Sequence, residues 1–326
     1  MRELTAVKEL GAALDPTDDG PSPATRERTV AQFHGPARSG WARLGRTGRV
    51  ALGGGLAAVA TGAVLVSQVV SVGHRPPASQ AAAAEVLRAA AAHEAAQPAP
   101  PISPDKFVYV ESVFSAQESR TTADGTIEST RKAKQRRIWL SVDGTRAGLL
   151  LRRPKGSTGA WQRDALPGCK DGRPVGAAGD AGTCTPHPAY QPDLPTRADQ
   201  MRAYLYRNSH GDNPRDEQAF ITAGDLIREA YLSPAQLAAV FGALAEIPGT
   251  TMVGATTDEV GRAGVAIAMP EARGARTELI FDPRTHAFLG ERTTVVRAVA
   301  PFRAGDVVST RAVLTTAVVD RVSQLP

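Results

Sequence analysis

The chain has 326 residues, with 38 basic against 33 acidic side chains and two cysteines. A formal charge of +5 spread over that length gives no concentrated positive field, which argues against nucleic acid as a partner. Residues 1–49 hold 8 basic and 6 acidic side chains and residues 73–326 hold 30 and 27, while residues 50–72 hold none.

The first segment, "RELTAVKELGAAL", puts Leu4, Val7, Leu10 and Leu14 on one stripe of a short amphipathic helix. "DPTDDGPSP" breaks it, and "ATRERTVAQF" reads as a second helix with Val30 and Phe33 as its few anchors. So few apolar groups cannot make a core, so residues 1–49 are either a solvated tether or a helix that orders on a partner.

From Val50 to Val72 the chain carries 23 residues without Lys, Arg, Asp, Glu or His. At about 1.5 Å of rise per residue, such a helix crosses a hydrocarbon layer of roughly 30 Å. It follows 49 polar residues, too far in for a cleaved signal peptide, and reads as an uncleaved signal anchor. Arg26, Arg28, Arg38, Arg43, Arg46 and Arg49 precede it, whereas Arg75 and Arg88 beyond it are balanced by Glu85 and Glu94. Retention of positive charge places the N-terminus in the cytoplasm and the C-terminal bulk outside the cell membrane. Gly54, Ala58 and Gly62, like Gly53, Ala57 and Thr61, recur every four residues. That spacing is a candidate homodimer face, although an Ala- and Gly-rich span also produces it by chance.

Beyond the span, residues 73–105 read as an Ala-rich helix, "AAAAEVLRAAAAHEAA", and a spacer of polyproline character, "QPAPPISP". The folded domain is expected over 106–326. "KFVYVESVFSA" is a strand, and "RRIWLSV" alternates with Ile138, Leu140 and Val142 on one face. Asp143-Gly144 reads as a tight hairpin turn into "TRAGLLLRR". "RKAKQRR" holds five positive charges in seven residues and reads as a solvated sheet edge, or alternatively as a contact for anionic lipid or wall polymer. Residues 155–195 read as loop and contain both cysteines. Cys169 and Cys184 lie 15 positions apart, and closing that loop as a disulfide contributes about 3 kcal/mol in the chain-entropy model. An exported compartment lets such a bond persist.

Three helices follow: "TRADQMRAYLYRNS", with Thr196 as its expected cap; "PRDEQAFITAGDLIREAYL", opened by Pro214; and a third with Ser233, Pro234 and Gln236 as a capping box. Leu237, Val240, Phe241 and Leu244 give the third helix an apolar stripe, and Pro248-Gly249 ends it. Five strands complete the chain, "TTMVGATT", "GVAIAM", "RTELIF", "AFLGERTTVVRA" and "DVVSTRAVLTTAVV", with Asp282–His286 as a hairpin loop. Strands, helices and then more strands imply an α+β fold, a curved antiparallel half-barrel-like sheet with helices on one face.

The run "YLSPAQLAAVFGALAEIPGTTMVGATTDEVGRAGVAIAM" with "RTELIFDPRTHAFLGERTTVV", and the start "RELTAVKELGAALDP" before a span, resemble an actinobacterial family of single-span membrane proteins of unknown function. Members of that family often accompany extracytoplasmic-function sigma factors. The outer-domain pattern is similar to lipoprotein-carrier (LolA-like) and sigma-regulator half-barrels. The resemblance implies a cytosolic sigma factor or other protein as partner of the tail, and carries no catalytic residues with it. The tail lacks the His-x-x-x-Cys-x-x-Cys of zinc-containing anti-sigma domains, so a zinc-dependent mode is not implied.

No Gly-x-Ser-x-Gly, His-Glu-x-x-His or phosphate loop is present, no Ser-x-x-Lys comes with its supporting motifs, and no His pair has metal-ligand spacing. The expectation is a non-enzymatic regulatory or sensory protein without cofactor or metal. Its outer domain would bind an apolar envelope ligand, such as a lipid, or a partner protein. A tethered lipid or lipoprotein carrier is the alternative, and a surface hydrolase built from distant Ser, His and Asp is the third reading.

Overall fold

The computed structural model describes residues 77–121, 127–176, 182–211, 213–269, 274–299 and 301–326, which belong to one compact unit. The tail expected in the cytoplasm, the expected 50–72 span and its candidate Gly54, Ala58, Gly62 face lie outside the described residues. Among the described residues, no helix is long and apolar enough to cross a membrane.

Helix α1 (Pro77–Ala95) comes first, then strands β1 (Phe107–Thr121), β2 (Ile127–Ser141) and β3 (Gly148–Pro154). Three short strands follow, β4 (Gln162–Leu166), β5 (Gly168–Lys170) and β6 (Arg173–Val175). Helices α2 (Ala198–Arg207), α3 (Arg215–Glu229) and α4 (Pro234–Ala245) precede β7 (Thr251–Thr257), β8 (Ala263–Ala268), β9 (Ala275–Phe281), β10 (Phe288–Val295) and β11 (Val307–Val319). The main sheet has nine antiparallel strands in the order β4-β3-β2-β1-β11-β10-β9-β8-β7, and β5 and β6 form a separate hairpin. The last strand thus lies beside the first and joins two meanders into one surface.

Strand alternation divides the sheet into two faces. On one, Ile267, Leu279 and Phe281 meet Met201, Leu205, Phe220, Phe241 and Leu244 from the helices. Phe241 and Phe281 pack edge to face with centroids 5.1 Å apart. Helix α1 belongs to this core. Ala83, Leu87 and Ala90 recur at i, i+4 and i+7 and expose no surface. The segment expected to precede the domain is therefore one of its walls. On the opposite face, Phe107, Tyr109, Trp139, Leu149, Leu151 and Val319 form a second cluster. The C-terminal residues close it, with Trp139 Nε1 donating to the Gln324 carbonyl at 2.7 Å.

The capping box of α4 is present, with Ser233 and Gln236 bonding each other's backbone. The buried Gln236 also donates to the Gln191 carbonyl at 2.8 Å. Three local expectations are corrected. Arg197, not Thr196, stands at the N-cap of α2. Asp143-Gly144 is not a two-residue hairpin, since β2 and β3 first pair at Trp139 and Leu149. The wider loop there accepts the segment around His187, bonding Ala189 N to Ser141 O at 3.1 Å. Gly144 is required in that loop: its φ is +73°, and a Cβ would lie 2.5–2.7 Å from the His187 backbone. Third, β2 is an interior strand rather than an edge. Acids on neighbouring strands and turns answer four of the five charges of "RKAKQRR", as Glu118 does for Lys132 at 2.5 Å and Glu111 for Arg137 at 3.0 Å.

Candidate functional site

The constellation that sequence reading did not assemble lies on the face opposite the helices. In β9, Arg276, Glu278 and Ile280 point to this face while Thr277, Leu279 and Phe281 point to the helices. The Glu278 side chain is fully buried between Arg292 Nε at 2.6 Å and Arg276 Nε at 3.0 Å, and Arg292 also donates to the Thr256 hydroxyl. The alternation of Arg276 and Glu278 in β9 was the available signal, but the second partner, on β10, lies 14 residues away.

The second carboxylate comes from the turn between β7 and β8. Glu259 accepts from Ser115 Oγ at 2.6 Å, Arg131 at 2.5 Å and Lys155 at 3.3 Å. Burial pushes the Glu259 carboxyl up, yet the bonds from Ser115, Arg131 and Lys155 outweigh it and hold the group below its ordinary range. Ser115 lies on β1, five strands from β7 in the sheet order. At about 4.8 Å per strand a flat sheet would hold them roughly 24 Å apart, beyond any glutamate side chain. The sheet therefore rolls toward this face. Arg262 pins the same turn by donating to Asp258 at 2.6 Å, to the Leu289 carbonyl at 3.0 Å and to the Val313 carbonyl at 2.8 Å. Around Glu278 and Glu259 the roll is charged, each carboxylate clasped by two cations, while the apolar cluster around Trp139 occupies another part of the same face.

A second relief lies between α2 and α3, an open depression of about 500 Å³ lined by Asp199, Arg202, Tyr206, Arg207, Arg215 and Asp216. Tyr206 is flanked by the guanidinium groups of Arg215 and Arg202, 5.0 and 5.7 Å from its ring, and donates to Asp216 at 2.6 Å. Burial and the Asp216 carboxylate push its hydroxyl above the usual range. Both features carry charged side chains.

Cys169 and Cys184 form the expected disulfide, with Cα atoms 5.8 Å apart. The bond ties the β5–β6 hairpin to the segment that reaches Ala189 and Tyr190, and Cys169 N donates to the Gly144 carbonyl at 2.9 Å. It is a staple around the loop that β2 and β3 leave open. Among the described residues, no group of three His, Cys, Asp or Glu side chains is placed to hold a metal. The buried Ser115 hydroxyl donates to Glu259 rather than to a histidine, and His286 occupies a surface turn at φ 61°. These positions do not form a nucleophile–base pair.

No protein-family model matches the chain, and no curated protein matches it significantly. The resemblance to a single-span family therefore stands on the quoted residues alone. Among solved structures, MucB is 13% identical at a TM-score of 0.23, aligned over 76% of this chain and 60% of that one. The complex of MucA and MucB from Pseudomonas aeruginosa is likewise 13% identical at 0.23, over 73% and 57%. A DUF1329 family protein from Desulfovibrio piger is 8% identical at 0.19, over 71% and 91%. The chain thus spans about 60% of the MucB structures it is aligned with, and at these TM-scores none of the likenesses carries an argument about fold or function.

Proposed function

We propose that this chain is a non-enzymatic regulatory protein, anchored by one membrane span, that presents its α+β domain outside the cytoplasm to a protein partner. The charge-free residues 50–72 and the arginines before them support the anchor and its direction. The Cys169–Cys184 bond suits an oxidising compartment. The observation that carries the choice of partner is the charged lining of the domain's relief. Arginine and carboxylate side chains line both the sheet roll and the α2–α3 depression, which fits recognition of a polar protein surface better than uptake of an acyl chain. Occupancy outside then biases residues 1–49, which engage a cytosolic protein, a sigma factor being the expectation.

Photo-crosslinking in living cells tests this reading, with probes at Arg207 in the depression and at Leu10 in the tail. A discrete protein adduct at Arg207 is expected, and a second, cytosolic one at Leu10. Native mass spectrometry that finds stoichiometric lipid and no protein partner would overturn the reading in favour of a tethered carrier.

A further inference from the structure

The helix-bearing face carries a ladder of charges across the sheet. Asp225 and Arg228 of α3 stand 2.7 Å apart, and Arg228 meets Glu291 of β10 at 2.9 Å. Arg311 of β11 stands 3.9 Å from Glu291 and lies over the Phe114 ring. At the far side, Arg152 of β3 binds Asp164 of β4 at 2.8 Å. Each of these cations has an acid beside it.

Arg136 of β2, between them, has none among the described residues. Its register partners are Ser112 on β1 and Arg152 on β3. The diagonal neighbours on the same face are Val110 and Phe114 on one side and Leu150 and Pro154 on the other, with Lys134 and Ile138 along its own strand. None is acidic. Two arginines directly opposite one another destabilise a sheet. The hydroxyl of Ser112, at the floor of the same spot, is buried and finds no hydrogen-bond partner among the described residues. An orphan buried donor and an unanswered guanidinium thus sit side by side, and the ladder lacks one anion at this place. Burial, with Arg311 and Arg152 nearby, pulls the Arg136 guanidinium down to about 10, the direction expected where positive charge is uncompensated.

We propose that this gap is a binding site for one phosphate-type oxyanion, held by Arg136 and Arg152 and by the Ser112 hydroxyl. A phosphate group carries one to two negative charges and several acceptor oxygens, so it accepts from the fork of Arg136, from the Arg152 Nη1 that Asp164 does not use, and from a hydroxyl together. The site is independent of the partner reading, because it rests on strand register and on the unpartnered Ser112 hydroxyl.

Thermal unfolding of the full chain in an uncharged detergent tests it. Inorganic phosphate is compared with sodium chloride at matched ionic strength. A short-chain phosphatidylglycerol below its micelle concentration is the second probe, and acetate the control for a monovalent carboxylate. Phosphate is expected to raise Tm above the chloride value, and a larger rise with phosphatidylglycerol identifies a lipid headgroup as the source. Arg136→Gln is expected to weaken phosphate binding about tenfold or more and to leave Tm in chloride equal to or above that of the unaltered chain. Arg163→Gln, on an exposed residue of β4, keeps the full response. Should Arg136→Gln fail to fold, Arg136→Lys, which keeps the charge and loses the fork, replaces it with weaker binding expected. No phosphate-dependent rise in the unaltered chain, or an equal rise in the Arg136 variant, overturns the proposal.

Discussion

Replacing Glu278 by Gln tests whether the ion pairs of the rolled face hold the sheet. The substitution keeps the shape and removes the charge that Arg276 and Arg292 share at 3.0 and 2.6 Å. Breaking a fully buried pair from one side costs roughly 3–5 kcal/mol, because the remaining charge is left without compensation. The arginines keep 25% and 22% of their side-chain exposure and recover part of that from water, so the lower end, about 3 kcal/mol, applies. For a domain of this size each kcal/mol moves Tm by about 2–4 °C, which gives a fall of about 6–12 °C. Glu118→Gln is the internal control. Glu118 also meets two cations, Lys132 and Lys134, but its side chain is 40% exposed, and its loss is expected to cost under about 1 kcal/mol. Differential scanning calorimetry on both variants decides the matter. If Glu278→Gln and Glu118→Gln shift Tm equally, burial is not what gives the Glu278 pairs their weight, and the reasoning is refuted.

Leu87→Ala, in the helix that precedes the first strand, is expected to lose about 2–5 kcal/mol by chemical denaturation, as any buried leucine would; a loss below 1 kcal/mol would mean that α1 is not a wall of the core. The Cys169→Ser, Cys184→Ser pair is expected to lower stability by about 3 kcal/mol without unfolding the sheet, and equal denaturation midpoints would refute a stapling role. Glu259 has a folded pKa below its ordinary 4.5, so its contribution is fully present above that pH and is lost as pH falls through the depressed value. Glu259→Gln is therefore expected to flatten the acid limb of the stability–pH curve below about pH 4.5, and an unchanged limb would count against the Ser115–Arg131–Lys155 clasp.

Local chemistry was legible along the chain, and pairing at a distance was not. Ser233 and Gln236 announce their helix start within four residues, and Asp282–His286 its hairpin, because caps and turns are set by neighbours in sequence. The cysteine spacing was equally direct. The placement of β11 beside β1 depends on register over some two hundred residues, which no local period reports. "RKAKQRR" read as an edge because charge reads as exposure. Its answering acids, Glu111, Glu118 and Glu259, come from other elements. Helix α1 was read as a helix outside the folded domain because alanines bury little area each, and only Leu87 among its buried residues carries a strong apolar signal. Short strands β4 to β6 were hidden among the Gly and Pro residues of 155–195.

In the proposed reading, residues 50–72 carry the domain to the far side of a membrane. Fusion after Pro326 of a reporter enzyme that matures only outside the cytoplasm tests this in one step. An active reporter, recovered with the membrane fraction and lost when Arg residues are moved to the far flank, is the expected result; a reporter that works only as a cytosolic fusion would contradict the account.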